Sequence, residues 1–272
     1  MRRLISVFAL AGAVAACDGP AADGPAPAPT AAPAPTQAAP ADSAVGGARS
    51  VSEETDDFLF EFSYPAAAGR IPELATVLDV MLEQRRGELA RQAAEALREA
   101  RDNGFPYNKH SFSAEWKVVA ELPDWLSLSA DISTYSGGAH GNYTVESLVW
   151  DKQAKAGMDG VALFQSAEAL DEALGQKLCD ALDAERAKRR GEAVPADAGD
   201  DATGFNSCQH VKDATVLVGS SGGGKFDRIG VWFGPYVAGP YAEGSYELNF
   251  PVDAAVIEAV KPEYREAFAA KK

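Results

Sequence analysis

The chain reads WLSLSADISTYSGGAHGNYTVESLVWD at residues 125–151, a stretch built around a short turn that contains three glycines. On each side of this turn, at 125–135 and 143–151, apolar and polar residues alternate. A period of two is typical of strands with one buried face, and glycine supplies the positive φ values of a tight connection. The stretch therefore predicts an antiparallel hairpin that presents His140 in its turn.

Further strands are predicted on both sides of this hairpin. Aromatic residues alternate with other residues at 58–64, and the run stops at Pro65, which cannot continue a central strand. Runs rich in β-branched and aromatic residues predict the remaining strands, at 111–121, 215–219, 226–233 and 245–251.

Two long helices interrupt the strands. The first begins near Pro72, carries apolar residues at helical spacing and ends at Asn103-Gly104. The second has Ser166 as its N-cap and one apolar face, formed by Leu170, Leu174, Leu178 and Leu182. A short helix at 254–260 follows the last strand. This order predicts an α+β fold, with a mainly antiparallel sheet and both long helices packed on one of its faces.

Residues 1–16 have the pattern of a lipoprotein signal peptide. Arg2 and Arg3 form a positive start, and the apolar run that follows is too short for the roughly 20 residues of a spanning helix. The run ends in small residues directly before Cys17, which resembles a bacterial lipobox. We expect Cys17 to be acylated and to anchor the protein in a lipid bilayer of the cell envelope. Ordinary cleavage after Ala16 is the alternative.

Residues 17–50 are predicted to be a disordered tether, because 18–50 contain twelve Ala, seven Pro and no aromatic residue. An extended Pro-rich chain of this length reaches about 100 Å. The folded part is expected at 51–272, with an N-terminal module at 51–125 and a C-terminal module at 126–272.

The charge of the chain restricts its partners. The 272 residues include 40 Asp and Glu against 25 Lys and Arg, a net charge of -15, and loss of the two leader arginines makes it -17. A nucleic-acid binder needs a basic face, so this composition excludes nucleic acid as an expected partner and favours a basic one. In an exported protein, Cys179 and Cys208 are expected to form a disulfide.

Catalytic and metal sites are weakly indicated. His110, His140 and His210 are far apart in the sequence and form no paired metal-ligand motif, so no metal or other cofactor is expected. Ser136 and His140 lack the surroundings of a nucleophile and its base. An acidic loop at 197–201 and a phosphate-loop-like run at 219–225 are better explained as a solvated loop and a glycine-rich hairpin.

Two motifs resemble a known family. Tyr135-Ser136-Gly137-Gly138-Ala139-His140-Gly141 is followed by Leu163-Phe164, and residues 226–233 lead into the segment GPYVAGPYAEG at 234–244. In this order the motifs resemble the PdaC/RsiV-like extracytoplasmic domains of unknown function. The resemblance covers 51–272 and implies an α+β fold. It also implies a recognition role, because one such domain binds lysozyme and others accompany a peptidoglycan deacetylase.

The motifs supply the candidate binding residues, since rigid aromatic side chains in loops are common anchors of recognition surfaces. These candidates are Tyr135, Gly137, Gly138, His140, Pro235, Tyr236, Pro240 and Tyr241. We expect a non-catalytic envelope lipoprotein that binds lysozyme-like proteins or peptidoglycan. A peptidoglycan-modifying enzyme or its accessory, and a structural assembly protein, are the alternatives, and His140 can be structural or functional.

Overall fold

The computed structural model describes residues 46–195 and 204–271. The predicted signal peptide, the acylation site Cys17, most of the tether and the acidic residues 197–201 lie outside these ranges. Within them, no helix combines the length and the apolar character that a membrane crossing requires. The elements in chain order are β1 (Arg49–Glu54), β2 (Phe58–Tyr64), α1 (Ala66–Gly69), α2 (Pro72–Asn103), β3 (His110–Glu121), β4 (Trp125–Tyr135), β5 (Asn142–Asp151), β6 (Ala156–Met158), α3 (Ala167–Leu174), α4 (Gln176–Arg190), β7 (Thr215–Gly219), β8 (Arg228–Phe233), β9 (Tyr246–Pro251) and α5 (Ala254–Ala259).

The first six strands form one sheet in sequence order. Neighbouring strands are antiparallel except β2 and β3, which are parallel because α2 carries the chain back between them. The apolar face of α2 lies on this sheet, and its buried residues share a core with the aromatic residues of β2. Phe60 of β2 stacks on Phe112 of β3, with ring centroids 5.6 Å apart.

The second half of the chain builds a three-stranded antiparallel sheet from β7, β8 and β9. The predicted apolar face of the second helix is confirmed, since its four leucines are all buried in the core beside this sheet. Ser166 caps α3 as predicted, accepting a hydrogen bond from the amide of Ala169. Gly175, with φ of 52°, separates α3 from α4 and divides the predicted single helix into two.

The α+β class and the mainly antiparallel sheet are confirmed, but the strands form two sheets with two cores where the sequence predicted one. Each long helix accordingly packs on its own sheet, α2 on the first and α4 near β9 of the second. Strands β1 and β6 were not predicted, because RSVSEE and AGM lack the aromatic and β-branched clustering of a strand signal. Strand β1 begins at Arg49, two residues before the predicted start of the folded part.

The two sheets meet where β5 approaches β7. The hydroxyl of Thr215 donates to the carbonyl of Val145 at 2.8 Å, and the amide of Gly160 donates to the buried hydroxyl of Ser147 at 3.1 Å. A Cβ atom on Gly160 would lie 2.1 Å from the carbonyl oxygen of Val216. Glycine is therefore required at position 160, because a side chain there would push the two sheets apart.

We expect Gly160→Ala to lower the free energy of unfolding by about 1–3 kcal/mol, the usual effect of overpacking against a backbone. Gly87→Ala is the matched control. Gly87 lies within α2 with nothing near its Cβ position, so alanine there should raise stability by about 0.5–1 kcal/mol. Urea unfolding of both variants measures the two effects, and a Gly160→Ala protein as stable as the Gly87→Ala protein would contradict the close approach.

Candidate recognition site

The two sequence motifs meet in space. The turn between β4 and β5 carries the first motif, and the segment between β8 and β9 carries the second. The hydroxyl of Tyr241 donates to the carbonyl of Gly141 at 2.7 Å, and the ring of His140 stacks on the ring of Tyr241 with centroids 4.0 Å apart. Side chains about one hundred residues apart in the sequence therefore form one contact.

Four rings form what we call the aromatic cluster: His140, Tyr143, Tyr236 and Tyr241. Tyr241 is central, since the Tyr143 ring lies 6.2 Å from it in an edge-on arrangement and the Tyr236 ring lies 5.6 Å from it. Edge-on and offset ring pairs stabilise each other by about 0.5–1.5 kcal/mol beyond the area that they bury. The cluster is thus held together by its own ring contacts.

Two glycines and one side-chain hydrogen bond shape the turn that follows β4. Gly137 and Gly138 both adopt φ of 93°, which other residues rarely adopt. The hydroxyl of Tyr135 donates to the carbonyl of Gly138 at 3.0 Å, which closes the turn. Nδ1 of His140 lies 2.9 Å from the carbonyl of Gly141, so a proton on Nδ1 completes a hydrogen bond there.

Tyr236 is the most exposed tyrosine of the cluster, with 54% of its surface accessible. Its φ is 67°, in the left-handed region that is costly for a bulky residue. Strained residues of this kind concentrate at binding and active sites, where the surrounding structure holds them in place. Tyr236 is therefore an exposed aromatic side chain in a fixed, strained position.

The side chain of Arg186, on α4, is buried beside the segment that bears Tyr241. Its guanidinium donates from Nε to the carbonyl of Ala238 at 3.0 Å, from Nη2 to Ser207 O at 2.9 Å and from Nη1 to Asn206 O at 3.3 Å. Asp183, one turn earlier, pairs with Nη1 at 2.9 Å. Because a guanidinium keeps its charge, these acceptors together make its full burial possible.

The last turn of α4 adds two more arginines. Arg190 forms a forked ion pair with Glu243, at 2.8 Å from Nε and 3.0 Å from Nη2. Arg189 donates to the carbonyls of Glu243 and Ser245 at 2.6 and 2.7 Å, and its guanidinium carbon lies 4.0 Å from the ring centre of Tyr246. Arg186, Arg189 and Arg190, which we call the arginine clamp, therefore fix both ends of the segment that bears Tyr241.

Burial and hydrogen bonding set the protonation states of Glu243 and Tyr246, which contact the arginine clamp. Burial raises the pKa of the Glu243 carboxyl, but hydrogen bonds from Arg190 and Tyr246 lower it by more, so the net pKa lies below 4.5. Burial, and then the hydrogen bond to Glu243, raise the pKa of the Tyr246 hydroxyl above 10.0. Glu243 is thus held as an anion at neutral pH and Tyr246 as a neutral donor.

The structure places the eight candidate binding residues in the two segments that meet. His140, Tyr236 and Tyr241 join the cluster, and Tyr135 bonds Gly138 in the turn. Pro240 precedes the short 3-10 helix Tyr241–Glu243, whose last amide donates to the Pro240 carbonyl at 2.9 Å. Pro235 and Gly137 shape the backbone of the two segments.

Tyr143 and the arginine clamp were not predicted from the sequence. The signal for the clamp was present, because basic residues at 186, 189 and 190 share one helix face at i, i+3 and i+4. Their partners lie about fifty residues further along the chain, so the spacing alone could not separate a clamp from a solvated face.

The other two histidines lie elsewhere. Burial lowers the pKa of His110 on β3, and His210 pairs with Asp171 at 2.6 Å. Across residues 46–195 and 204–271, no group of three or more His, Cys, Asp or Glu side chains could hold a metal ion. The predicted disulfide between Cys179 and Cys208 is confirmed, and the glycine-rich run at 219–225 connects β7 and β8 as a hairpin.

We expect Glu243→Gln to lower the free energy of unfolding by about 1–3 kcal/mol at pH 7, because it leaves Arg190 without its anionic partner. A carboxyl whose folded pKa lies below its ordinary value stabilises the fold above that ordinary value, and this contribution is lost as pH falls through the folded pKa. The difference between variant and wild type should therefore shrink by about pH 3.

Glu185→Gln is the matched control, since Glu185 forms a 3.4 Å ion pair with the exposed Lys188 on the same helix. It should change stability by less than about 0.5 kcal/mol. Urea unfolding at both pH values gives the comparison. A Glu243→Gln deficit that persists undiminished in acid would show that the carboxylate charge is not the stabilising feature.

Comparison with known proteins gives a family match for the first part of the chain. Residues 51–143 match the family model described as deacetylase PdaC. No curated protein sequence matches the chain.

The comparison with solved structures gives two matches that extend over most of the chain. A DUF3298 family member from Bacteroides fragilis is 17% identical, with a TM-score of 0.45, and the match covers 81% of this chain and 96% of that one. A DUF3298 family protein from Pseudomonas aeruginosa is 14% identical, with a TM-score of 0.44 and coverage of 82% and 97%. The family match at 51–143 includes the first motif and confirms the resemblance found in the sequence: the chain is similar to the PdaC-like domains of unknown function.

Proposed function

We propose that this protein is an envelope lipoprotein whose folded part recognises a basic protein of the lysozyme type without catalysing a reaction. The observation that carries the proposal is the aromatic cluster, in which two distant segments are locked together and the Tyr236 ring remains exposed in a strained conformation. Preorganised aromatic side chains are efficient binding anchors, because little conformational entropy is lost when a partner covers them.

The charge of the chain supports a basic partner. A net charge of -15 attracts cationic proteins over a distance set by ionic strength and so raises the rate of encounter. Within the site, by contrast, the arginine clamp is paired with Glu243 and with backbone carbonyls. Long-range attraction and short-range selectivity are therefore assigned to different parts of the protein, the former to the overall charge and the latter to the rings.

The predicted anchor and tether complete the proposal. An acylated Cys17 would hold the protein at a membrane of the envelope, and the Ala- and Pro-rich segment would let the folded part search for ligand up to about 100 Å away. Peptidoglycan is the second ligand class, since exposed tyrosine rings also stack on sugars. The test below separates the two.

The test is calorimetric titration of the chain lacking residues 1–17 with a C-type lysozyme, at low and at about 0.15 M ionic strength, with another basic protein as the comparison ligand. We expect saturable binding to lysozyme that persists at the higher salt. Tyr236→Ala should weaken this binding at least about tenfold, equivalent to about 1.4 kcal/mol.

Phe105→Ala is the matched control, because Phe105 is also an exposed aromatic residue, 49% accessible, but lies just after α2 and outside the cluster. Its binding should equal that of wild type. Equal binding of lysozyme and the comparison protein, or no binding, would overturn the lysozyme proposal. Binding of soluble muropeptides that is lost in Tyr236→Ala would assign the cluster to peptidoglycan instead.

A further inference from the structure

The disulfide and the aromatic cluster are connected through one buried side chain. Residues 204–208, which we call the disulfide loop, end at Cys208 and supply two of the carbonyls that bind Arg186. The same guanidinium binds the carbonyl of Ala238, in the segment that bears Tyr241. Arg186 is 0% exposed, so its donors have no access to water as a substitute.

Arg190 also connects the disulfide loop to the segment that bears Tyr241. Arg190 donates from Nη1 to the side-chain oxygen of Asn206 at 2.5 Å and from its other nitrogens to Glu243. Two forked side chains on one helix therefore bridge the disulfide loop and the Tyr241 segment. A lysine could not replace either, because an ammonium is a point charge without the planar arrangement of donors.

The disulfide fixes the end of this bridge that lies in the disulfide loop. Cys179 lies on α4 itself, two turns before Arg186, and Cys208 directly follows Ser207, whose carbonyl Arg186 binds. The bond brings the two Cα atoms within 5.1 Å and so keeps the Ser207 carbonyl beside the helix. Both cysteines are half-buried, which leaves the bond open to a small reductant.

We propose that the Cys179–Cys208 disulfide is a redox control of the aromatic cluster, acting through Arg186 as a positioning residue. A dithiol reductant gives up two electrons and two protons and becomes a disulfide, while Cys179 and Cys208 each become a thiol. The disulfide loop then loses its covalent tie to α4. A guanidinium that loses buried acceptors moves toward water, because it cannot release its proton. The hydrogen bond from Arg186 to the carbonyl of Ala238 is then lost.

The change is local, because other contacts hold the surrounding chain. Asp171 accepts hydrogen bonds from the amide of Val211 at 3.0 Å and from His210 at 2.6 Å, which keeps the chain beyond the disulfide loop on α3. The apolar core of the second sheet includes neither cysteine, and Ala238 is the buried residue that the segment between β8 and β9 contributes to it. Reduction is therefore expected to release the aromatic cluster from a folded domain.

Proton NMR of His140 tests this without any ligand. Its ring lies over Tyr241, so its carbon-bound protons are shifted upfield by the ring current in the oxidised chain lacking residues 1–17. Reduction with dithiothreitol should abolish this upfield shift, and the Cys179→Ser/Cys208→Ser double variant should lack it as well. His110, buried on β3, should keep its shift throughout and reports on folding of the first sheet.

Arg186→Met should lose the His140 shift even when oxidised, and Arg186→Lys should not restore it. Lys188→Met is the matched control, since Lys188 is a highly exposed cation on the same helix and should leave the shift unchanged. A His140 shift that survives reduction, the cysteine substitutions or Arg186→Met would overturn the proposal. Simultaneous loss of the His110 shift would overturn it too, because the effect would then be unfolding of the whole domain.

The link to recognition rests on the proposed function and is tested separately. If the oxidised protein binds lysozyme, the reduced protein should bind at least about tenfold more weakly. If the oxidised protein binds no lysozyme, the proposed function fails while the NMR result still decides the redox control. If both forms bind equally although the His140 shift is lost, the control does not extend to binding and that part of the inference is wrong.

Discussion

A guanidinium group removed from water must have its donors occupied, and Arg186 sets this requirement at the centre of the second half of the chain. Its acceptors come from three places: α4 through Asp183, the disulfide loop through two carbonyls, and the Tyr241 segment through Ala238. The three carbonyl acceptors restrict the paths of two segments that have little regular secondary structure of their own. The constraint therefore supplies order where neither helix nor sheet hydrogen bonds do.

This requirement also determines the chemical character of the site. The charges of Arg186 and Arg190 on α4 are paired below the surface, with carbonyl oxygens and with Glu243. The neighbouring surface presents aromatic rings, among them the exposed ring of Tyr236. A site of this kind discriminates by shape and ring stacking, because the nearest strong charges are already paired with each other.

The sequence predicted the elements well where a single signal dominates. Strand β4 has the predicted bounds because apolar and polar residues alternate from Leu126 to Ser133, and α2 ends at Asn103, before Gly104, whose φ of 71° suits glycine. The split into two sheets was not predictable in this way. Strands of both sheets show the same alternation of apolar and polar residues. This pattern shows which face of a strand is buried, but not in which of the two cores it is buried.

The candidate residues of the site were named from the sequence, but the contacts between them were not predicted. The two motifs and their eight candidate residues were identified by residue type, since tyrosine, histidine, proline and glycine in turns are local signals. The contact between Arg190 and Glu243 spans 53 residues and depends on how α4 lies beside β9. Such contacts follow from tertiary packing, which no local pattern encodes.

One face of β5 connects these features. Tyr143, Ser147 and Val149 alternate with residues that point to α2, so all three side chains face the second sheet. Tyr143 contacts Tyr241 at one end of the strand. Near the middle, the hydroxyl of Ser147 accepts a hydrogen bond from the amide of Gly160, and Val149 is buried in the second core. The aromatic cluster therefore lies at one end of the interface between the two sheets, and the packing at Gly160 lies nearer the middle of the same strand face.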